Sequence, residues 1–83
     1  MYHKDIFCMR VKKLRKQAKE QQKDLAAAIW ISQTAVSEIE NGRRATSLEN
    51  LALICLHYNV SADYLLGLSD EPRALTEHRK EGT

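Results

Sequence analysis

Residues 22–42, which read QKDLAAAIWISQTAVSEIENG, predict two short helices joined by a tight turn. Leu25 and Ile29 are four residues apart, and Val36 and Ile39 are three apart, so each pair shares one face of a helix. The helical spacing breaks between these pairs, so one continuous helix cannot carry all four residues on the same side. The two apolar faces must therefore turn toward a common core.

The boundaries of these helices are also marked in the sequence. Ser32 is a favourable N-cap residue for a second helix that begins at Gln33. The pair at residues 41–42, Asn-Gly, ends that helix. Ala26 is small enough to let the two helices cross closely.

Further helices are predicted on both sides of this pair. Residues 6–19 have one apolar face, and Ser47 caps a fourth helix. Ser61 caps a fifth helix, of one or two turns, that ends at Gly67. The apolar residues that these helices are expected to pack in the core are Phe7, Val11, Leu14, Ala18, Leu48, Leu51, Ile54, Cys55, Tyr58, Leu65 and Leu66. Because no segment alternates as a strand does, the predicted fold class is all-α.

The chain divides into one domain and a tail. Apolar residues almost vanish after Ser69, and Pro72 interrupts any regular structure. We expect a domain over residues 1–68 and a polar tail over residues 69–83, mobile or with a short helix over residues 74–80.

Charge is distributed unevenly along the 83 residues. Residues 1–44 contain ten Lys and Arg against five Asp and Glu, whereas residues 45–83 contain three against six. The basic half includes the two-helix unit. This asymmetry indicates either a surface that binds a polyanion or an ordinary solvated surface rich in charge.

Several classes of protein are disfavoured. A domain of this length is too small for a deep catalytic cleft, and its His, Cys and carboxylate residues lack metal-ligand or triad spacing, so we expect no enzyme, metal, cofactor or small-molecule ligand. No long apolar run or signal peptide is visible, which predicts a cytoplasmic protein without membrane contact. Cys8 and Cys55 are expected to be reduced.

Three motifs resemble the phage-repressor and Cro-like helix-turn-helix family, also called the XRE family. They are Gln22-x-x-Leu25-Ala26, Ile29-x-Ile31-Ser32-x-x-x-Val36-Ser37-x-Ile39-Glu40-Asn41-Gly42, and Val60-Ser61-x-Asp63-Tyr64-Leu65-Leu66-Gly67. The match extends over residues 7–68. It implies a compact five-helix, lambda-repressor-like DNA-binding domain whose third helix enters the major groove, which is wide enough for an α-helix.

The resemblance assigns base contacts to one face of that third helix. The side chains concerned are Gln33, Thr34, Ser37 and Glu38. The Gln33 amide can bond an adenine edge, and Thr34 can offer a hydroxyl or a methyl group. The Glu38 carboxylate is repelled by phosphates unless it accepts from cytosine N4 or pairs with a nearby Arg.

The resemblance also implies phosphate contacts and one structural ion pair. The expected phosphate-binding residues, which flank the third helix, are Gln22, Ser32, Asn41, Arg43 and Arg44. Arg15 and Glu40 match positions where this family joins the first and third helices through a partly buried ion pair.

Some positions depart from the family pattern. Trp30 stands where the turn usually has Gly, so the turn is strained or has another geometry, and we expect the indole to pack locally. Gln21 replaces the usual Ser or Thr cap, Glu20 replaces an apolar residue, and Thr46 replaces a proline. These changes are expected to weaken the start of the second helix but to leave the third helix intact.

An apolar patch is predicted beside the fourth helix. Leu53 and Leu56 fall off its core stripe, at positions that are commonly polar in the family. Together with Tyr64 and Leu65 they can form a homodimer contact, and the alternatives are a dock for the tail or isolated exposed leucines.

The leading prediction is a transcriptional regulator that binds double-stranded DNA as a homodimer at an inverted-repeat operator. Repression is favoured over activation. The alternative is a protein-interaction adaptor or antitoxin-like control module that uses the apolar surface of the fourth and fifth helices. Salt distinguishes the two, since phosphate binding weakens steeply with salt whereas an apolar contact changes little.

Overall fold

A computed structural model describes residues 4–72 of the chain, and these residues form five α-helices. The helices are α1 Lys4–Gln17, α2 Gln22–Ile29, α3 Gln33–Glu40, α4 Leu48–Tyr58 and α5 Ala62–Leu65. No strand occurs among the described residues. The helix expected over residues 74–80 lies outside them.

One apolar core joins all five helices. Its largest fully buried side chains are Phe7, Val11, Leu25, Ile29, Val36, Ile54 and Leu65. α2 and α3 pack against each other, α1 contacts α3 and α5, and α4 contacts α2 and α5. The apolar faces of α2 and α3 therefore pack against the other helices of the domain.

Serine caps begin three of the helices, as the sequence predicted. Each serine hydroxyl accepts a hydrogen bond from the backbone N–H three residues later in the chain. The distances are 3.0 Å for Ser32, 3.1 Å for Ser47 and 3.2 Å for Ser61. α2 is stabilised differently, because the Asp24 carboxylate accepts the backbone N–H of Gln21 at 2.7 Å. The expected weakness at the start of α2 is thus offset by Asp24.

Two residues predicted in the core lie outside it. α1 ends at Gln17 rather than at residue 19, because Lys19 adopts a left-handed conformation with φ of 60°, and this leaves Ala18 exposed. Leu48 is the first residue of α4 and points into solvent, where 85% of it is exposed.

Trp30 forms the turn between α2 and α3 in the left-handed conformation that glycine adopts most easily. Its φ and ψ are 66° and 36°, and its backbone N–H donates to the carbonyl of Ala26. The backbone therefore keeps the glycine-like geometry. The expected local packing of the indole is wrong, because 87% of Trp30 is exposed.

We expect Trp30→Gly to raise the free energy of unfolding by about 1 kcal/mol. Glycine removes the strain of the left-handed conformation, and this gain exceeds the entropy cost of ordering the more flexible glycine on folding. Urea denaturation measures the change. Trp30→Ala is the matched control, since it removes the indole but keeps the strain, and it should give no such gain. Equal stabilisation by both variants would contradict the strain explanation.

Candidate nucleic-acid interface

α3 presents a polar face to solvent because its other face is held in the core. Ala35, Val36 and Ile39 are buried against the domain. The opposite face, which we call the reading face, consists of Gln33, Thr34, Ser37 and Glu38. On this face Gln33 and Thr34 are exposed, whereas Ser37 and Glu38 are half-buried.

The reading face has two parallel rows of side chains. Residues four apart are neighbours on a helix, so Gln33, Ser37 and Asn41 follow one line. Thr34 and Glu38 follow the adjacent line. The Asn41 amide nitrogen lies 3.4 Å from the Ser37 hydroxyl, which extends the first row beyond the end of α3.

A buried ion pair ties the end of α3 to α1. Arg15 Nε donates to Glu40 Oε2 at 2.7 Å, and a terminal Arg15 nitrogen donates to Oε1 at 3.0 Å. The Arg15 and Glu40 side chains are only 10% and 1% exposed. The hydrogen bond from Arg15 to Glu40 raises the pKa of the guanidinium. This bidentate pair sets the position of α3 relative to α1.

Gln22 takes part in the same network. Its amide nitrogen donates to Glu40 Oε1 at 3.2 Å. The sequence assigned Gln22 to phosphate binding, but the structure turns this donor toward the ion pair. One amide N–H and the backbone at the start of α2 remain for a phosphate.

Arg44 is paired with Glu38 rather than free. Arg44 Nε donates to Glu38 Oε1 at 2.9 Å, and Arg44 Nη2 lies 2.8 Å from the same oxygen. The structure thereby brings together one residue assigned to base contacts and one assigned to phosphates. Arg43 is exposed, and its side chain makes no hydrogen bond or ion pair within residues 4–72.

Two lysines of α1, Lys4 and Lys12, were not assigned to the site from the sequence. The Lys4 side chain crosses Gly42, with Cε only 3.4 Å from the place where a Cβ would lie, and Cys8 Sγ is 3.6 Å from it. Lys12 is exposed one turn beyond Cys8 on the same line of α1. The contact between α1 and residue 42 is tertiary, so no local pattern could have revealed it.

The loop before α2 and the end of α5 are anchored by polar contacts. Glu20 accepts from the Tyr58 hydroxyl and contacts His57 Nε2, both at 2.8 Å. Burial, together with the hydrogen bond to Glu20, raises the pKa of Tyr58. Arg10 lies over the Tyr64 ring at 4.3 Å and donates to the Ser69 carbonyl at 2.7 Å.

The predicted homodimer patch is only partly exposed. Tyr64 and Leu65 are buried in the core, so their assignment to a dimer surface is wrong for the folded domain. Leu53 is half-buried against the core, whereas Leu56 is 60% exposed. Leu56 instead belongs to an apolar groove between α4 and α5, which we call the α4–α5 groove and which is lined by Leu48, Leu51, Ala52, Cys55, Leu56 and Ala62.

Both cysteines are free and buried. Burial raises the pKa of the Cys8 and Cys55 thiols, which keeps them protonated and unreactive. Within residues 4–72, no helix is both long enough and apolar enough to span a bilayer.

Comparison with known proteins decides the family. A model of the family described as "Helix-turn-helix" matches residues 11–65. The chain belongs to the XRE helix-turn-helix family. This membership confirms the resemblance and the all-α fold class, and it places the chain in a family of DNA-binding transcriptional regulators rather than enzymes.

Individual relatives agree with this assignment. The XRE-family chain is 32% identical over 74 residues to an uncharacterized HTH-type transcriptional regulator, YobD, of Bacillus subtilis (strain 168). The match covers 89% of this chain and 66% of YobD, slightly less than two thirds of its length.

Two solved structures share the fold. The restriction-modification controller protein C.AhdI from Aeromonas hydrophila has a TM-score of 0.69 and 24% identity, over 75% of this chain and 94% of that protein. The hypothetical transcription factor NHTF from Neisseria has a TM-score of 0.70 and 22% identity, over 94% of this chain and 83% of that protein.

Proposed function

We propose that this XRE-family protein is a sequence-specific, double-stranded DNA-binding transcriptional regulator that inserts α3 into the major groove. The observation that carries the proposal is the polar reading face, which is exposed on one side while the core and the Arg15–Glu40 pair hold α3 on the other. A rigid helix with solvent-accessible polar side chains suits the donor and acceptor pattern of base edges.

Contacts between DNA phosphates and residues next to the reading face would determine the affinity for DNA. Arg43 is an exposed cation beside the end of α3 that has no ion pair within residues 4–72, and uncapped backbone N–H groups at the starts of α2 and α3 would add to it. Lys4 and Lys12 extend the basic edge along α1. Together with Arg43, these lysines give α1 and the loop after α3 positive charges that would attract a polyanion.

We infer a homodimer that binds an inverted repeat. Two copies related by a two-fold axis would place their α3 helices in successive major grooves, about 34 Å apart. The α4–α5 groove supplies an apolar surface for this contact, because Leu48 and Leu56 project from it into solvent. A small dimer in the cytoplasm would act most simply as a repressor, by excluding other proteins from the operator.

Selection of random duplexes by the purified protein, followed by a salt titration of the winning sequence, tests this function. We expect an enriched inverted repeat and an affinity that falls steeply with salt. Binding without any sequence preference would contradict sequence-specific regulation.

Gln33→Ala and Arg43→Ala should separate base contacts from phosphate contacts. We expect Gln33→Ala to relax preference at one base pair per half-site, at a cost of about 1–3 kcal/mol. Arg43→Ala should weaken all sequences alike and reduce the salt slope by about one. Uniform loss from both variants, measured by fluorescence anisotropy, would refute this division of roles.

The α4–α5 groove favours one alternative, a protein-interaction adaptor that holds a partner through Leu48 and Leu56. Binding of such a partner should change little with salt, since apolar contacts are not screened. The two functions can coexist, because the groove and the reading face use different residues.

A further inference from the structure

Glu38 and Arg44 form one unit on the reading face. The carboxylate comes from α3, and the guanidinium reaches back from the loop that follows it. Both remain accessible, with side chains 37% and 55% exposed. Thr34 lies one helical turn before Glu38, in the same row of side chains on the reading face. By pairing with Glu38, the Arg44 guanidinium is positioned beside this row, which would face the base edges.

The pairing uses only one edge of the guanidinium. Nε and Nη2 both point at Glu38 Oε1. An arginine has a second bidentate edge, formed by Nη1 and by the other hydrogen of Nη2, and these two N–H groups have no partner within the described part of the chain. Glu38 Oε2 likewise accepts no hydrogen bond from residues 4–72.

The free atoms match one base pair in the major groove. A G·C pair presents two acceptors, guanine N7 and O6, followed by a donor, the cytosine N4 amino group. The Glu38–Arg44 unit presents two donors followed by an acceptor. The match also neutralises the Glu38 charge, which by itself would be repelled by the phosphates.

We propose that Glu38 and Arg44 act together as a reader of one G·C base pair in each half-site. Arg44 bonds guanine through its Nη1/Nη2 edge, and Glu38 both positions Arg44 and accepts from cytosine N4. This inference rests on the proposed function, since it requires α3 in the major groove. It moves Arg44 from the phosphate-binding residues to the base-reading ones.

Arg43 provides a matched control. It is adjacent to Arg44, carries the same charge and is also exposed, but no carboxylate holds its side chain within residues 4–72. An arginine whose side chain is not positioned by a carboxylate suits a phosphate contact, which depends more on charge than on orientation. An arginine that a carboxylate positions suits hydrogen bonding to a base edge.

The test compares the base preferences of the full chain and of the variants Arg44→Gln, Arg44→Lys, Glu38→Gln and Arg43→Gln, by selection of duplexes and by affinity for single-substituted operators. We expect Arg44→Gln to reduce discrimination at one G·C pair by about 10- to 100-fold. Arg44→Lys should lose most of that discrimination as well, because lysine keeps the charge without the bidentate edge. Glu38→Gln should relax the same base pair, and Arg43→Gln should relax none.

Each contrary result has a distinct meaning. If Arg44→Gln weakens every sequence alike and lowers the salt slope by about one, Arg44 binds phosphate and this inference is overturned while the proposed function stands. If Glu38→Gln and Arg44→Gln relax different base pairs, they are not one unit. If the full chain selects no sequence, the proposed function itself fails. Circular dichroism melting of the variants verifies that these substitutions leave the fold intact.

Discussion

Glu40→Ala is expected to lower the free energy of unfolding by about 3–5 kcal/mol, which is a large share of the stability of a small domain. The Glu40 side chain is almost fully buried, and it accepts two hydrogen bonds from Arg15 and one from Gln22. Removing it leaves the buried Arg15 guanidinium with the Glu20 carbonyl as its one hydrogen-bond partner among residues 4–72. Thermal and urea denaturation measure the loss.

Two further variants show whether the loss comes from the unpaired charge. Glu49→Ala removes an exposed carboxylate from the first turn of α4 and should change stability by less than about 1 kcal/mol. Replacing both members, Arg15→Met with Glu40→Met, should restore most of the stability, because apolar residues of similar volume avoid the cost of desolvating charges. An unchanged melting temperature in Glu40→Ala would show that the pair does not stabilise the fold.

Local sequence patterns predicted the helices well. Capping serines and apolar spacing act over three or four residues, so Ser32, Ser47 and Ser61 marked the starts of α3, α4 and α5 correctly. The end of α1 was less visible, because Lys19 adopts a left-handed conformation that is usual for Gly or Asn.

Burial was predicted less well where it depends on how helices cross. Leu65 was correctly predicted to pack in the core, but it was also assigned with Tyr64 to a dimer surface, and both side chains are buried, with Arg10 of α1 over the Tyr64 ring. Leu48 shows the opposite error, since the first turn of α4 extends beyond the core. Spacing along one helix reveals its apolar face but not where neighbouring helices stop.

The candidate site was predicted residue by residue, and the Arg15–Glu40 ion pair with it, but the other pairings needed the structure. The sequence placed Glu38 and Arg44 in different roles, whereas the loop after α3 folds back and joins them. Gln22 and Glu40 are similarly brought together from different helices. Such contacts depend on side-chain direction across a turn, which periodicity does not encode.

Leu56→Asp is expected to convert the proposed dimer into a monomer and to reduce affinity for the two-half-site operator by about 100-fold or more. In a dimer, binding at one half-site raises the local concentration of the second copy at the other, and a monomer loses this effect. Leu56 is exposed in the α4–α5 groove beside Leu48 and Ala52, so a carboxylate there would be buried without a partner in any contact between two copies. Analytical ultracentrifugation measures the oligomeric state, and anisotropy measures binding to the operator and to a single half-site.

The matched control is Met9→Asp, which places the same charge on an equally exposed residue of α1, where 61% of Met9 is accessible. Met9→Asp should leave the oligomeric state unchanged. Affinity of Leu56→Asp for a single half-site should equal that of the unaltered protein, because the reading face of each copy is untouched and only the coupling between copies is lost. Persistence of the dimer in Leu56→Asp would place the contact between copies elsewhere, and loss of half-site affinity would show that the groove supports α3 rather than a second copy.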